Sequence, residues 1–288
     1  MIPSLPRSLL ERYAIAGYVA AFFVFLFLPL AVVAIFAFND ANYPAPPWRG
    51  FTLDWFVGDA GRGRMGLFAD RALLSSIWTS VVVAVWVTVL AVAVGTVNAF
   101  LLERASFRGK AALSLAMLAP LVIPGVILGI SILAFASRLA RLADDMLGLE
   151  LDFLRPGLPL VVAGQVSFIV AIATLTIAAR LKRFDRALEE AALNLGATHA
   201  AALRTVTLPY LKPALIGAAA IAFLMSFENF NTTLMLVGSD PPLTIMMYGR
   251  MREGASPVLN AVSLFLMIAS ALLALVLIRQ PRGEGISR

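Results

Sequence analysis

Six predominantly apolar runs, each long enough to cross a bilayer, constrain this chain more than any other feature. A hydrocarbon core about 30 Å thick takes roughly 20 helical residues. The runs fall at Tyr13–Phe38, Leu73–Leu102, Ala111–Phe135, Leu158–Ala179, Pro213–Val237 and Leu259–Ile278. In lipid a spanning segment must satisfy its own backbone polar groups, and single apolar runs do so as helices. The expected fold class is all-α: a polytopic membrane protein with six transmembrane helices, forming one domain over residues 1–288.

Composition excludes several other classes. Hydrophobic residues make up 60% of the 288 and charged residues 14%, against about 25% charged in a soluble domain. Mean hydropathy is +0.89. Cysteine is absent, which removes disulfides, thiolate metal sites and cysteine nucleophiles. His199 is the single histidine, so no metal site is expected. The net charge of +6 sits in short loops beside the apolar runs. Membrane topology and anionic head groups account for it without nucleic acid.

The same charges orient the chain. Six crossings place both termini on one side. The termini, Glu103–Lys110 and Arg180–Lys212 together hold 14 of the 23 Lys and Arg residues, including Lys110, Lys182 and Lys212. Positive loops stay inside, so both termini are expected in the cytoplasm. The first run follows Arg7 and Arg12 and exceeds the roughly 7–15 residues of a signal-peptide core. It reads as a retained anchor with a kink at Pro29. On the outer side, Asn39–Arg71 is rich in Gly, Pro and Asp, with a Gly-Arg-Gly-Arg run at Gly61–Arg64, and reads as irregular surface chain. Ser137–Leu151 spaces Leu139, Leu142, Met146 and Leu149 as an amphipathic helix in the interface plane.

One polar loop carries a motif with fixed spacing. Glu190-Ala191-Ala192 is followed after three intervening residues by Gly196, and after nine more intervening residues by Val206-Thr207-Leu208-Pro209. Arg186–Leu195 reads as one helix, with Gly196 supplying a turn at positive φ. Thr198 caps a second short helix through about Thr205, which Leu208-Pro209 ends. This loop resembles the cytoplasmic signature of ABC-importer permeases, departing only at Val206, where Ile is usual.

The resemblance implies the type I importer permease fold in a bacterial inner membrane. It makes residues 182–212 the coupling loop, with Glu190, Ala191, Ala192, Gly196, Leu208 and Pro209 engaging an ATPase. Its implied partners are a second homologous permease, two cytoplasmic ATPase subunits and an external substrate-binding protein. The chain has no Gly-x-x-x-x-Gly-Lys-[Ser/Thr] loop, so ATP and its hydrolysis belong to the partner. No cofactor, catalytic residue or enzyme activity is expected.

Other segments narrow the likeness. Ser226-Phe227-Glu228-Asn229 resembles the Ser-Phe-Asp-Asp of polyamine-importer permeases. Gly254-Ala255-Ser256-Pro257 with Asn260-Ala261 resembles their turn into the last span, and Pro120–Pro124 their third span. That branch often carries acids where this chain has Gly125 and Val258. Glu228 is left as the only acid deep in a span. Charge there costs about 2.5–3.5 kcal/mol on insertion scales and marks functional positions. Glu228, Asn229, Asn231 and Thr232 are the expected substrate pathway, for a polyamine or similar small organic cation. The alternatives are another solute (amino acid or opine, aminophosphonate, ferric iron) on the same machinery, or a secondary transporter. Gln165 and Ser167 read as helix–helix hydrogen bonders, and Gly125 with Gly129 as a packing face.

A reporter fused after Arg288 is expected to behave as cytoplasmic, and one inserted near Asp59 as external. A cytoplasmic signal at Asp59 overturns the orientation.

Overall fold

The computed structural model describes residues 9–59 and 63–278. Arg7, the Gly61–Arg62 half of the Gly-Arg-Gly-Arg run and the arginines beyond Ile278 lie outside the described residues. Among those described there is no strand, only an isolated bridge between Asn39 and Phe51. Five helical stretches are long and apolar enough to cross a membrane: α1 (Leu9–Phe36), α3 (Arg71–Arg104), α5 (Gly125–Leu147), α6 (Leu158–Leu181) and the run His199–Phe227. The last of these comprises α8 (His199–Ala202), a π-helical turn (Leu203–Thr207) and α9 (Leu208–Phe227). With α12 (Val258–Ile278, 21 residues), the all-α architecture and the count of six agree with expectation.

Contacts group into two compact units. One holds the described chain through Arg71 together with Arg250–Leu273. Here α1 runs helically through Pro29 and buries no residue. The segment after it is irregular, as expected, but it is not simply surface-lying. Asn39 is fully buried; its side chain accepts from the Arg49 N–H at 2.8 Å and donates to the Pro47 carbonyl at 3.2 Å. The Trp55 indole of α2 (Asp54–Val57) donates to the Asn39 carbonyl at 2.8 Å. Phe38 stacks on Phe51 with centroids 5.4 Å apart. Arg250 of α11 (Leu243–Gly254) pairs with the buried Asp70 at 2.6 Å.

The second unit, Ala72–Gly249 with residues 274–278 of the described chain, is built around α6. Its core draws Val83, Val87, Ala91 and Ala99 from α3 and Ile169, Ala173 and Ile177 from α6. Ala218 and Ala222 of α9 join them. Small residues dominate because helices in lipid gain stability from close backbone approach rather than from excluding water. Gly95 shows this at the α3–α6 crossing, where a Cβ would stand 2.9 Å from that of Ala173.

Three boundaries differ from expectation. The third run is not one helix: α4 (Lys110–Val122) stops, Ile123 is extended (φ −79, ψ 127), and α5 starts after Pro124. A residue before proline is pushed out of helical geometry, and proline offers no N–H to continue the ladder. The expected interfacial helix at Ser137–Leu151 is the continuation of α5, which runs to Leu147 and ends at Gly148 with φ +61. The fifth run is divided as well. α9 stops at Phe227, Glu228–Phe230 break the helix, and α10 (Asn231–Leu236) follows.

Three glycines seat α10 against α5 and α6. A Cβ on Gly125 would meet that of Asn231 at 3.0 Å. One on Gly129 would meet the Met235 Cβ at 2.9 Å and the Thr232 carbonyl at 3.0 Å, and one on Gly164 would overlap Leu236. Gly129→Ala is expected to destabilise the protein by about 1–3 kcal/mol, because backbone must shift to admit the methyl. A lowered thermal unfolding midpoint of the purified protein measures this, and an unchanged midpoint contradicts the packing.

Candidate functional site

The signature loop is fastened at both flanks before it forms any helix of its own. Leu181, Phe184 and Leu211 make a buried cluster. Arg180, in the last turn of α6, donates from Nε to the Tyr210 carbonyl at 2.7 Å and lies 4.5 Å over that ring. Between these flanks, α7 (Ala187–Asn194) begins with the Asp185 carboxylate accepting the Ala187 N–H at 3.0 Å. It ends in a paired cap. Ala197 N–H reaches the Ala192 carbonyl at 3.0 Å and Gly196 N–H the Leu193 carbonyl at 2.9 Å, which is the Schellman arrangement. Gly196 has φ +90 with no atom within 4 Å of a built Cβ, so its demand is on backbone geometry, not on space. Thr198 then accepts the Ala201 N–H at 3.2 Å and starts α8.

Leu208-Pro209 does not end this second helix. The π-helical turn Leu203–Thr207 leads directly into α9, with Pro209 in the first turn. The missing N–H of Pro209 falls in the first turn of α9, directly after the widened turn, so the helical run continues through it instead of stopping.

The anchoring carboxylate is Glu189, not Glu190. Arg104, the last residue of α3, donates from Nη1 to both Glu189 oxygens at 2.8 and 2.9 Å, and the Thr207 hydroxyl donates to Oε1. Burial pushes the Glu189 carboxyl up. The hydrogen bonds from Thr207 and Arg104, with the charges of Arg104 and Arg186, outweigh that and hold its pKa below the usual glutamate value. Arg104 also lies 4.9 Å from the Phe100 ring and 5.6 Å from that of Phe184. Sequence reasoning missed Glu189, Arg104 and Thr207. The available signal was a doubled acid at Glu189-Glu190 with a hydroxyl inside Val-Thr-Leu-Pro.

Of the expected coupling residues, Glu190 is exposed and makes no side-chain hydrogen bond or ion pair among the described residues. Ala191 is exposed, Ala192 and Leu208 half-buried, and Pro209 exposed. Leu188 and Leu195, 52% and 89% exposed, align with Ala191 at helical spacing, leaving an apolar stripe turned away from the protein's own core.

The second cluster is the helix break in the fifth run. Asn229 Oδ1 accepts the Thr233 N–H at 3.2 Å and its hydroxyl at 2.9 Å. Gln165 donates to the same Thr233 hydroxyl at 2.9 Å and accepts from Ser226. The Thr244 hydroxyl closes on the Asn229 carbonyl at 3.1 Å. Gln165 thus bonds between helices, as its position suggested. Thr232 is 1% exposed and donates to the Gly125 carbonyl at 3.3 Å. Of the four expected pathway residues, Glu228 and Asn231 are exposed, Asn229 is half-buried and Thr232 is buried. The glycine at position 125 also acquires a reason. An acid there would drive its Cβ against Asn231 and Thr232, at 3.0 and 3.2 Å.

Residues 91–280, which include both clusters, match the family described as binding-protein-dependent transport system inner membrane component. The chain belongs to this family. Its relatives include the putrescine transport system permease protein PotI of Escherichia coli K12. That protein is 29% identical over 256 residues, covering 88% of this chain and 85% of the relative. The spermidine/putrescine transport system permease protein PotC of the same strain is 25% identical over 280 residues, covering 96% and 98%. Among solved structures, a bacterial alginate ABC transporter in complex with its alginate-bound periplasmic protein superposes with TM-score 0.73. It shares 17% identity and covers 95% of this chain and 94% of that one, a likeness of fold. Membership makes this chain a multi-pass inner-membrane component of an ABC import system and removes the secondary-transporter alternative.

Gly196→Val is expected to strain the cap by about 1–3 kcal/mol, because a β-branched residue resists positive φ. Insertion should persist while ATPase association or substrate-stimulated hydrolysis falls. Unchanged hydrolysis and transport count against the loop as a coupling element.

Proposed function

We propose that this chain forms one half of the translocation pore of an ATP-driven importer whose solute is a polyamine or a similar small organic cation. A second permease completes the pore, two cytoplasmic ATPase subunits drive it, and an external binding protein delivers the solute. The observation that carries the reading is the signature loop. It is a short helix clamped to the transmembrane helices by charge on one side and presenting Leu188, Ala191 and Leu195 to a partner on the other. A helix held this way passes on a displacement instead of absorbing it. Closure of the ATPase pair on ATP moves two such helices together and opens the pore outward, and hydrolysis resets it.

The cationic solute is supported by the names of the relatives, putrescine and spermidine permeases, and by Glu228. This carboxylate is exposed beside Asn231 at the break. It offers a counter-charge where surrounding lipid and protein lower the dielectric constant and strengthen pairing. Glu190 and the cap residues Ala192 and Gly196 shape the ATPase contact. Both termini lie in the cytoplasm on this reading.

Glu228→Gln keeps the shape and removes the charge. It is expected to cut uptake of putrescine or spermidine at least about tenfold, the scale of losing a partner to a charged group. Complex yield and solute binding to the external protein should be unchanged. Reduced yield instead assigns Glu228 to subunit pairing, and normal uptake with normal yield removes it from both roles. The pore reading itself requires that a tag on this chain bring down an ATPase.

A further inference from the structure

Packing holds α7 only weakly. It has eight residues and none is fully buried; of its apolar side chains only Ala192 and Leu193 are half-buried. Apart from its capping turns, one carboxylate joins it to the transmembrane helices. Glu189 receives Arg104 across 85 positions of sequence and Thr207 across 18. Arg104 itself lies against the Phe100 and Phe184 rings. Just beside it, Arg186 donates from Nη2 to the Glu103 carbonyl at 3.1 Å. Thr207 is fully buried and closes the π-helical turn. A π-helical turn inside a helical run is rare and recurs at functional sites.

We propose that Arg104, Glu189 and Thr207 form a latch that makes α7, the end of α3 and the start of α9 move as one body. Displacement of α7 by an ATPase then reaches two spanning helices together. With the latch broken, the π-helical turn and the Gly196 cap absorb the same displacement. The latch is separate from the docking surface: Leu188, Ala191 and Leu195 face outward, whereas Glu189 faces the protein's own helices. Glu189, Arg104 and Thr207 are positioning residues, acting through α7 on the pore. The inference rests on the reading that α7 contacts an ATPase.

The test uses the intact transporter, captured through a tag on this chain and placed in proteoliposomes with its binding protein. Three quantities are read: ATPase co-purified, ATP hydrolysed, and solute accumulated per ATP. Glu189→Gln is expected to retain the ATPase and basal hydrolysis but to lower solute per ATP at least about tenfold, the scale of a lost charge-assisted bond. Thr207→Val removes one hydroxyl and should lower it less. The exchange Arg104→Glu with Glu189→Arg should recover part of what either single change loses.

Wild-type solute per ATP in Glu189→Gln overturns the latch. So does loss of the ATPase in step with uptake, which would make Glu189 a docking residue. If the Glu189→Gln chain itself does not fold and insert, Thr207→Val decides: coupling equal to wild type refutes the latch, and reduced coupling with full assembly supports it. Should the unmodified chain bring down no ATPase, the functional reading fails first, and the latch with it.

Discussion

Hydrocarbon offers no hydrogen-bond partners, so each N–H and C=O in a spanning segment needs one from the protein. That requirement makes the long apolar runs helices. It also decides what must happen where a helix stops inside such a run. At Glu228–Phe230 the ladder is broken, and two side chains take up backbone groups there: Asn229 Oδ1 accepts the Thr233 N–H and the Thr244 hydroxyl donates to the Asn229 carbonyl, while Gln165 and Ser226 brace the Thr233 hydroxyl from the side. At Ile123-Pro124 the break is milder, because proline brings no N–H of its own. Both interruptions fall where α5 and α10 meet, at a close approach of the two helices.

Close approach is the complementary device. Gly125, Gly129 and Gly164 let the α10 backbone sit almost against its neighbours, and alanines fill the α3–α6–α9 core. The cost is chemical freedom at those positions. Any side chain at position 125 would bring its Cβ to 3.0 Å from that of Asn231 and 3.2 Å from the Thr232 hydroxyl, so those neighbours would have to give way. Glu228 is the carboxylate that the break exposes. Its neighbour Asn229 turns its side chain inward, and Thr232 is buried. A polar run in sequence is thus divided by geometry into one set that completes the backbone and another that remains open.

The signature loop follows a different logic, outside the apolar runs. Water can satisfy its backbone, so its shape comes from caps and charge. The Schellman turn at Gly196 and the Thr198 cap are local, and both were readable residue by residue. The clamp on Glu189 is not local. Two adjacent glutamates look alike in sequence, and only the position of Arg104 at the end of α3 distinguishes them.

Sequence alone determined the class, the number of crossings, the loop that carries the family signature and the turn at Gly196. These depend on run length, composition and short-range geometry, which neighbouring residues settle between themselves. What closes the break in the fifth run, and which glutamate is clamped, were decided by tertiary structure. Each depends on groups far apart in sequence meeting in space: Gly125 with Thr232, Gln165 with Thr233, Arg104 with Glu189. A helix end inside the membrane is stable only if such partners arrive, and no spacing along the chain encodes their arrival.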